Sequence, residues 1–323
     1  MPWIEIVLGF GCGLIGAWTV ARWGHALGFI DLPKARSSHK RATPKGGGIG
    51  IAAGVGICAV LSGVPFLFWA PALSISLLGL AADRFDVRPG PRLLTGFVLA
   101  GILLWALGLP CSGAACLMWA VPAAVFLVGT ANFFNFMDGI NGIAGLTGAV
   151  GFGLLAWSIG SSGGDLRFVH LAFGAAAACL GFLPFNLPVA RVFMGDAGSL
   201  LLGFLFAALA IAGAHSIFQF IVHAAFLLPF YLDELTTMVL RLRDGESLTR
   251  PHRRHLYQLL ANEMGIAHWK ISAVYAAAQL AMGLSLLGLA VSGQAGVLAF
   301  LAAASLGFVG ITVRVRRIVR SRS

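Results

Sequence analysis

Residues Asn132–Gly145 read N-F-F-N-F-M-D-G-I-N-G-I-A-G and join the end of one apolar run to the start of the next. The stretch holds three Asn and one Asp at a place where a membrane protein tolerates unpaired polar groups least. Such groups are costly near a bilayer and are therefore candidates for a functional site. The glycines let the backbone approach a ligand closely. A polar turn between two helices is the alternative, but similar clusters at other span ends weigh against it.

The composition indicates a membrane protein. Hydrophobic residues make up 59% and charged residues 11% of the 323 residues, and the mean hydropathy is +0.90. A soluble domain carries roughly 25% charged residues. Small residues fill the apolar stretches, as close helix packing in a bilayer requires. The sequence therefore predicts an all-α, polytopic integral membrane protein, with residues 1–323 forming a single membrane-embedded domain.

Eleven apolar segments follow one another along the chain and predict about eleven transmembrane helices. Several are slightly shorter than the ~20 residues that a straight span needs. The segments cover residues 4–22, 47–62, 66–82, 93–109, 115–131, 142–160, 168–184, 197–213, 217–239, 271–291 and 295–312.

The basic residues indicate how the chain is oriented. If the first residue is outside and the spans alternate, all of the 22 Lys and Arg residues except Arg167 fall on the inner side. Retention of positive charge inside is the general rule for membrane proteins. The long polar loops and all acidic residues except Glu5 and Asp165 fall inside as well. We therefore predict an N-terminus outside and a C-terminus in the cytoplasm. Topology accounts for the +10 net charge, so nucleic-acid binding is not expected.

Several of the inner loops carry candidate chemistry. In residues 43–48, T-P-K-G-G-G, a basic residue precedes glycines at a helix start, which predicts a phosphate cradle of exposed amides. Binding of lipid headgroups by a positive loop is the alternative. Asp196 lies between glycines at the mouth of a helix and suits a hard cation with oxygen ligands, although an ordinary N-cap is the alternative. The Arg and His residues of 241–255 can bind a diphosphate. The alternation places four candidates on one membrane face: Asp83, Asp138, Asp196 and His255.

The order of the motifs resembles the polyprenyl-phosphate N-acetylhexosamine-1-phosphate transferases. This family includes the bacterial enzymes that start O-antigen, enterobacterial common antigen and teichoic acid linkage synthesis, and the phospho-N-acetylmuramoyl-pentapeptide transferase. The resemblance extends from Asp31 to about Leu260. The combination of D-G-I-N-G with H-L-Y-Q is most similar to the branch that starts O-antigen with UDP-linked N-acetylated 6-deoxyhexoses. The five motifs are T-P-K-G-G-G, A-D-R-F-D, N-x-x-N-x-x-D-G-I-N-G-I-A-G, F-M-G-D-A-G-S-L-L-L-G and R-x-H-L-Y-Q.

The resemblance implies a phosphoryl transfer at the cytoplasmic face of the bacterial inner membrane. A polyprenyl (undecaprenyl) phosphate oxygen attacks the β-phosphorus of a UDP-N-acetylhexosamine, and UMP is released. Mg²⁺, with Mn²⁺ as the alternative, is the implied cofactor. The expected partners are the lipid phosphate, the UDP-sugar and the membrane, and a homodimer is compatible with this interpretation. The implied residues are Asp83, Asp138, Asp196 and His255 for catalysis, Asp196, Asn135 and Asp83 for the metal, and Lys40, Lys45, Gly139, Asn141, Phe193, Gly195 and Arg253 for the substrates.

The chain departs from the family pattern at three places. Ala82 stands where the family usually has the first of two adjacent Asp, a residue proposed to deprotonate the lipid phosphate. A phosphate monoester has a second pKa near ~6 and is already mostly dianionic at neutral pH, so this loss is chemically survivable. Asn141 stands where many relatives have Asp, and Tyr257 and Gln258 replace later His residues. Two alternatives are a membrane transporter or lipid flippase, which would carry ionisable groups at span midpoints, and a catalytically degenerate scaffold of the same fold.

Overall fold

The computed structural model describes residues 2–33, 38–39, 41–85, 87–109, 113–247 and 252–321. Within these ranges the chain is almost wholly helical, and two short strands, β1 (Ile30–Asp31) and β2 (Thr43–Pro44), form an antiparallel pair. The α-helices are α1 (Trp3–Trp23), α2 (Ile49–Leu61), α3 (Phe66–Arg84), α4 (Pro89–Ala106), α5 (Gly113–Met137), α6 (Ile143–Ser161), α7 (Leu166–Phe182), α8 (Gly195–Ala212), α9 (Ile217–Ala224), α10 (Leu228–Arg243), α11 (Leu256–Gln258), α12 (His268–Ser292) and α13 (Gln294–Arg320).

Ten apolar stretches in the described part of the chain are helical and long enough to cross a membrane, which confirms an all-α polytopic fold. One of these stretches is Ile217–Arg243, in which a 3₁₀ turn joins α9 to α10. The predicted segment 47–62 is different, because α2 has only 13 residues. At 1.5 Å per residue it extends about 20 Å, which is less than the ~30 Å hydrocarbon core. Ten of the predicted segments are thus long enough to span, and the eleventh is a short helix.

Helix α8 lies at the centre of the bundle. In its apolar window 78% of the residues are buried, against 11% in α13 at the periphery. Helix α3 packs on one side of α8, where Ser76 Oγ donates to the Ala197 carbonyl at 2.7 Å. Helix α5 packs closely as well, since a Cβ on Gly203 would lie 2.5 Å from the Thr130 carbonyl oxygen. The N-terminus of α8 is therefore fixed between the ends of α3 and α5.

Helix α1 packs on α7 through small residues. A Cβ on Gly9 or Gly13 would lie 2.3 or 2.1 Å from the carbonyl oxygens of Gly174 and Ala178, respectively. Glycines four residues apart allow two helix backbones to touch, which is a common means of helix association in membranes. This contact fixes the C-terminal end of α1 beside the loop that follows α7.

Polar side chains gather at the two ends of the bundle. At one end, Glu5 Oε1 lies 3.3 Å from Ser62 Oγ and 3.1 Å from His170 Nδ1. The opposite end, here called the motif end, holds Asp83 and Asp196 together with the other motif segments. The structure thus gathers the motifs at one end, as the alternation of spans predicts.

Candidate active site

Backbone hydrogen bonds join the segment before α2 to the segment before α8. Phe193 N donates to Pro44 O at 2.8 Å, Gly47 N to Phe193 O at 2.9 Å and Gly48 N to Met194 O at 2.9 Å. The amides of Gly47 and Gly48 are therefore engaged within the protein, which disfavours them as phosphate donors, and the phosphate cradle at residues 43–48 stays a prediction. The glycines serve close packing instead, since a Cβ on Gly48 would lie 2.3 Å from the Cα of the facing Gly198.

Asp83 is a buried carboxylate at the C-terminal end of α3. Its Oδ2 accepts the Ala197 N–H at 3.2 Å, and its Oδ1 lies 3.7 Å from Lys45 Nζ. A carboxylate is stabilised at a helix N-terminus by the free amides and the helix dipole. Gly195 has a φ of +73°, and a Cβ there would lie 2.4 Å from Asp83 Oδ2. Only glycine allows this approach, so the structure brings Asp83, Lys45 and Gly195 together.

Asp196 is more accessible than Asp83 and belongs to the first turn of α8. Its Oδ1 accepts a hydrogen bond from Asn135 Nδ2 at 2.9 Å, and its Oδ2 lies 2.8 Å from Arg92 NH1. Asn135 Nδ2 also lies within 2.8 Å of Ser199 Oγ. The Asp196 side chain does not cap α8, whose N-cap residue is Met194. The simple N-cap alternative is thus excluded, and a half-buried carboxylate is left facing basic and amide groups.

Asp138 follows the last residue of α5 and completes a group of three carboxylates. Burial, together with the nearby carboxylates of Asp196 and Asp83, raises the pKa of Asp138 to about 7. A carboxyl group with a pKa near the working pH can accept or donate a proton. The structure thus brings together Asp83, Asp138, Asp196 and Asn135, and we call these residues the carboxylate cluster.

The D-G-I-N-G segment, residues 138–142, is held from two sides. Tyr257 Oη donates to the Phe136 carbonyl at 3.1 Å. The same hydroxyl fills the space beside Gly139, because a Cβ on Gly139 would lie 2.2 Å from Tyr257 Oη. Asn141 Nδ2 donates to Pro188 O at 3.3 Å, and Gly142 N donates to Asn186 Oδ1 at 2.5 Å. Gly139 and Asn141 therefore lie next to the carboxylate cluster and are held there by Tyr257 and Pro188.

His255 lies behind Tyr257 rather than on the open surface of the site. Its ring is 2% exposed and stacks on the Tyr257 ring with centroids 5.6 Å apart. His255 Nδ1 lies 3.7 Å from Asp233 Oδ1, and Nε2 lies 3.4 Å from Glu234 Oε2. Both ring nitrogens thus face carboxylates of α10. A direct contact of His255 with a diphosphate stays a prediction that this placement does not favour.

In the described part of the basic segment before α11, three arginines are paired with acids. Arg254 pairs with Asp244 and Glu246, and Arg241 Nε lies 3.1 Å from Glu246 Oε2. Arg253 lies 3.6 Å from Glu263, which ends the π-helical segment Leu259–Glu263 after α11. Burial, with His255 nearby, lowers the pKa of His252 to about 4, so its ring is neutral at physiological pH. This segment is therefore less cationic than its sequence indicates.

Backbone hydrogen bonds to Pro44 and Gly47 hold Phe193 beside the carboxylate cluster. The centroid of its ring lies 4.8 Å from that of the His39 ring. Lys40, Asp86 and Arg250 lie outside the described residues.

Four residues of the site were not singled out from the sequence for their roles. Arg92 looks like one more inner basic residue, although it pairs with Asp196. Ser199 and Asn186 look in the sequence like ordinary helix and turn residues. In the structure Ser199 contacts Asn135, and Asn186 accepts the Gly142 N–H. Asp233 was grouped only with the other inner acids. A carboxylate inside an apolar segment was the available signal, because such groups are costly and need partners.

Comparison with known proteins identifies the family. The family model for glycosyl transferase family 4 matches residues 65–214, which include Asp83, Asp138 and Asp196. The undecaprenyl-phosphate alpha-N-acetylglucosaminyl 1-phosphate transferase of Thermotoga maritima is 31% identical over 246 residues, which cover 75% of each chain. The chain belongs to the polyprenyl-phosphate N-acetylhexosamine-1-phosphate transferase family.

Other members of this transferase family show similar matches. The decaprenyl-phosphate N-acetylglucosaminephosphotransferase of Mycolicibacterium smegmatis is 27% identical over 287 residues, covering 75% of this chain and 70% of that protein. The probable undecaprenyl-phosphate N-acetylglucosaminyl 1-phosphate transferase of Bacillus subtilis is 26% identical over 267 residues, covering 77% and 74%. These names agree in a polyprenyl phosphate and in the transfer of an N-acetylglucosamine phosphate group.

Proposed function

We propose that the protein transfers an N-acetylhexosamine 1-phosphate from a UDP-sugar to polyprenyl phosphate and releases UMP. A phosphate oxygen of the lipid forms a bond to the β-phosphorus of the donor. The bond from the β-phosphorus to the bridging oxygen breaks, and that oxygen leaves with its electron pair as part of UMP. The product is a polyprenyl diphosphate sugar, the first lipid-linked intermediate of a cell-envelope polysaccharide such as O-antigen.

One observation carries this proposal, namely that the two carboxylates at the N-terminus of α8, Asp83 and Asp196, are each paired with a cation. Lys45 lies 3.7 Å from Asp83, and Arg92 lies 2.8 Å from Asp196. Phosphoryl transfer depends mainly on positioning and on neutralising charge around the transferred group. When phosphates enter, Lys45 and Arg92 can move from the carboxylates to the phosphate oxygens at little cost, because both are only partly buried.

The oxygen ligands at the N-terminus of α8, from Asp83, Asn135 and Asp196, fit Mg²⁺. Among the described residues, no group of three or more His, Cys, Asp or Glu side chains has metal-binding geometry. Mg²⁺ usually takes one or two carboxylates and keeps waters or substrate phosphates in its other positions, so this sparse set suits it. Asp196 and Asp83 would hold the ion, with Asn135 beside Asp196. The ion would neutralise charge on the phosphates of the donor.

Asp138 is the residue of the cluster best suited to handle a proton. Its pKa of about 7 lies close to the second pKa of a phosphate monoester, which is near ~6. It can therefore take the last proton from the lipid phosphate before attack. In this proposal Asp138 supplies what the Asp missing at position 82 supplies in relatives.

The orientation of the motif end and the donor are further parts of the proposal. A nucleotide sugar is made in the cytoplasm, so the motif end should face inward, in agreement with the positive charge around it. The similar proteins carry N-acetylglucosamine in their names. The motif variant favours an N-acetylated 6-deoxyhexose instead.

The test is a UMP-release assay on purified protein with undecaprenyl phosphate, Mg²⁺ and a panel of UDP-N-acetylhexosamines. We expect lipid-dependent UMP release with one or a few donors, loss of release in chelator and recovery with added Mg²⁺. A transporter or inactive scaffold would release no UMP with any donor, and that result would contradict the proposal.

A further inference from the structure

A cavity lies at the motif end, on the far side of β2 from the carboxylate cluster. It has a volume of about 470 Å³. Its walls come from the end of α1, from residues 41–44 and from residues 185–191. We call it the α1 groove and define it by Trp18, Arg22, His25, Arg41, Phe185 and Arg191.

The groove is positively charged. Arg22 and His25 lie four and seven residues after Trp18, so the three share one face of the chain at the end of α1. Arg41 and Arg191 face them from the two loops, and none of the described lining residues is acidic. All three arginines are exposed. A cavity with three guanidinium groups suits a phosphate, because each presents several N–H donors to its oxygens.

Arg191 is already positioned for a ligand. Its guanidinium lies over the Phe185 ring, 4.9 Å from the centroid, and NH2 donates to Pro184 O at 3.1 Å. A guanidinium has five N–H donors, so others remain for a ligand. Stacking on an aromatic ring limits the motion of the side chain, so less entropy is lost when an anion binds.

The groove opens onto an apolar surface that suits a lipid tail. Trp18 is 48% exposed, and Ile15, three residues before it on α1, is 62% exposed. Val189 on the opposite wall is 70% exposed. Trp is typical of the level at which headgroups meet the hydrocarbon. A phosphate site joined to an exposed apolar helix face matches a membrane lipid better than a soluble phosphate.

The groove is separate from the reacting centre. Pro44 lines the groove, whereas Lys45, the next residue, reaches Asp83 on the other side. A lipid phosphate in the groove is therefore screened from the carboxylate cluster by β2. For this reason we infer that the α1 groove is a site for an anionic bilayer phospholipid and not the position of the reacting lipid phosphate.

Such a lipid would support the cluster indirectly. Pro44, which lines the groove, accepts the Phe193 N–H at its carbonyl oxygen at 2.8 Å. Phe193 lies three residues before Asp196 in the sequence. Arg191 lies two residues before Phe193 on the same segment. A phosphate held between Arg41 and Arg191 would tie these two segments together and stabilise the approach to α8.

Binding of dioleoyl-phosphatidylglycerol to the purified full chain in neutral detergent tests the inference, by native mass spectrometry and by thermal stability. Neither readout depends on the transferase activity. Phosphatidylglycerol should bind and raise Tm, whereas dioleoyl-phosphatidylcholine and inorganic phosphate at the same concentration should not. If inorganic phosphate stabilised the protein equally, or phosphatidylcholine bound equally, the assignment to an anionic lipid would be wrong.

Matched variants locate the site. The triple variant Arg22→Ala, Arg41→Ala, Arg191→Ala should weaken phosphatidylglycerol binding by about 100-fold, because each Arg near a headgroup contributes on the order of fivefold. The control triple Arg243→Ala, Arg314→Ala, Arg317→Ala removes equal charge from exposed positions outside the groove and should bind as the native protein does.

A single variant keeps the test decisive if the triple variant does not fold. Arg41→Ala changes one exposed loop residue and should weaken binding by about fivefold. Unchanged binding in Arg41→Ala, or an equal loss in the control triple, would overturn the inference and leave only diffuse attraction by the basic face.

Discussion

Asp196 is the residue whose loss should affect the reaction most and the fold least. Its side chain is 27% exposed and is held by Asn135 and Arg92, so an amide of the same shape fits without a buried charge being left unpaired. We expect Asp196→Asn to lower UMP release by at least about 10³-fold, because it removes charge at the centre of transfer. Tm should change little. Asp165→Asn, an exposed acid at the other end of the bundle, is the control. Near-native turnover in Asp196→Asn would remove Asp196 from the mechanism.

Asp138 gives a prediction about pH. In the metal-free protein burial and the neighbouring carboxylates raise its pKa to about 7, well above the ordinary Asp value of 3.8. The folded state therefore keeps a proton that the unfolded state has lost, and stability falls as pH rises between these two values. Asp138→Asn cannot ionise and should thus be more stable than the native protein at pH 8 in chelator, with the difference fading toward pH 4. Thermal unfolding at several pH values measures this, and UMP release should be lost in the same variant. An unchanged Tm difference across pH would contradict the raised pKa.

Ala82 tests how much the missing family carboxylate matters. A positioned general base contributes about 10²–10⁴-fold, so Ala82→Asp would raise turnover by that much if the lipid phosphate lacked a base. We expect a gain below about tenfold, because Asp138 is available and the phosphate is mostly dianionic already. The measurement is the kcat of Ala82→Asp compared with the kcat of the native protein. Asp83→Asn, measured in parallel, should lower kcat by orders of magnitude, and an unaffected kcat there would remove Asp83 from the mechanism.

The sequence predicted the chemistry of individual residues better than their contacts. Asp83, Asn135 and Asp196 were selected because polar groups at span ends need partners, and the structure brings them together. The phosphate cradle is disfavoured at Gly47 and Gly48 because their amides bond to Phe193 and Met194, which lie about 150 residues away in sequence. Such a long-range pairing leaves no local trace in a Gly-rich segment.

Helix α11 shows how one buried acid can organise an element. Asp233 on α10 accepts the Leu256 N–H at 2.7 Å, the Tyr257 N–H at 3.2 Å and the Tyr275 hydroxyl at 2.7 Å. α11 continues into a π-helical turn over Leu259–Glu263, and the Asp233 carboxylate satisfies the first two amides of this helical segment from another helix. Asp233 therefore holds Tyr257 against Gly139 and joins α10, α11 and α12.

We expect Asp233→Ala to lower the free energy of unfolding by about 3 kcal/mol or more, because several charge-assisted hydrogen bonds to buried donors are lost. Hydrogen exchange at Leu256 and Tyr257 should rise, and turnover should fall through loss of position rather than of chemistry. Asp244→Asn, an acid on the exposed end of the same helix, is the control. Native exchange at Leu256 in Asp233→Ala would show that α11 is held by packing alone.

Helix positions were largely predictable, whereas helix lengths were not. Apolar runs locate the helices because any span must present apolar side chains to lipid or to neighbouring helices. The start of α2 was predicted two residues too early, because Gly47 and Gly48 count as apolar residues but hydrogen-bond to the segment before α8. The 3₁₀ turn at Ala225–Leu227 precedes Pro229 and is likewise invisible to hydropathy.

At the scale of the whole molecule, the two ends differ in charge and in chemistry. The end with Glu5 and His170 holds one basic side chain in the predicted assignment, Arg167, whereas the motif end holds the remaining arginines and lysines. The unequal distribution of Lys and Arg sets the orientation during insertion. The proposed function separately requires the carboxylate cluster to face the compartment that holds the UDP-sugar. The two requirements agree only if the motif end faces the cytoplasm.

Cysteine labelling in intact cells tests that orientation. Ser162→Cys lies exposed at the end of α6 near Asp165, and Ser247→Cys lies exposed beyond α10 at the motif end. The native Cys111 and Cys116 are replaced first, since both are predicted to face outward. An impermeant maleimide should label Ser162→Cys, and should label Ser247→Cys only after the cells are opened. Labelling of Ser247→Cys from outside would invert the orientation, and a cytoplasmic UDP-sugar could then no longer reach Asp196.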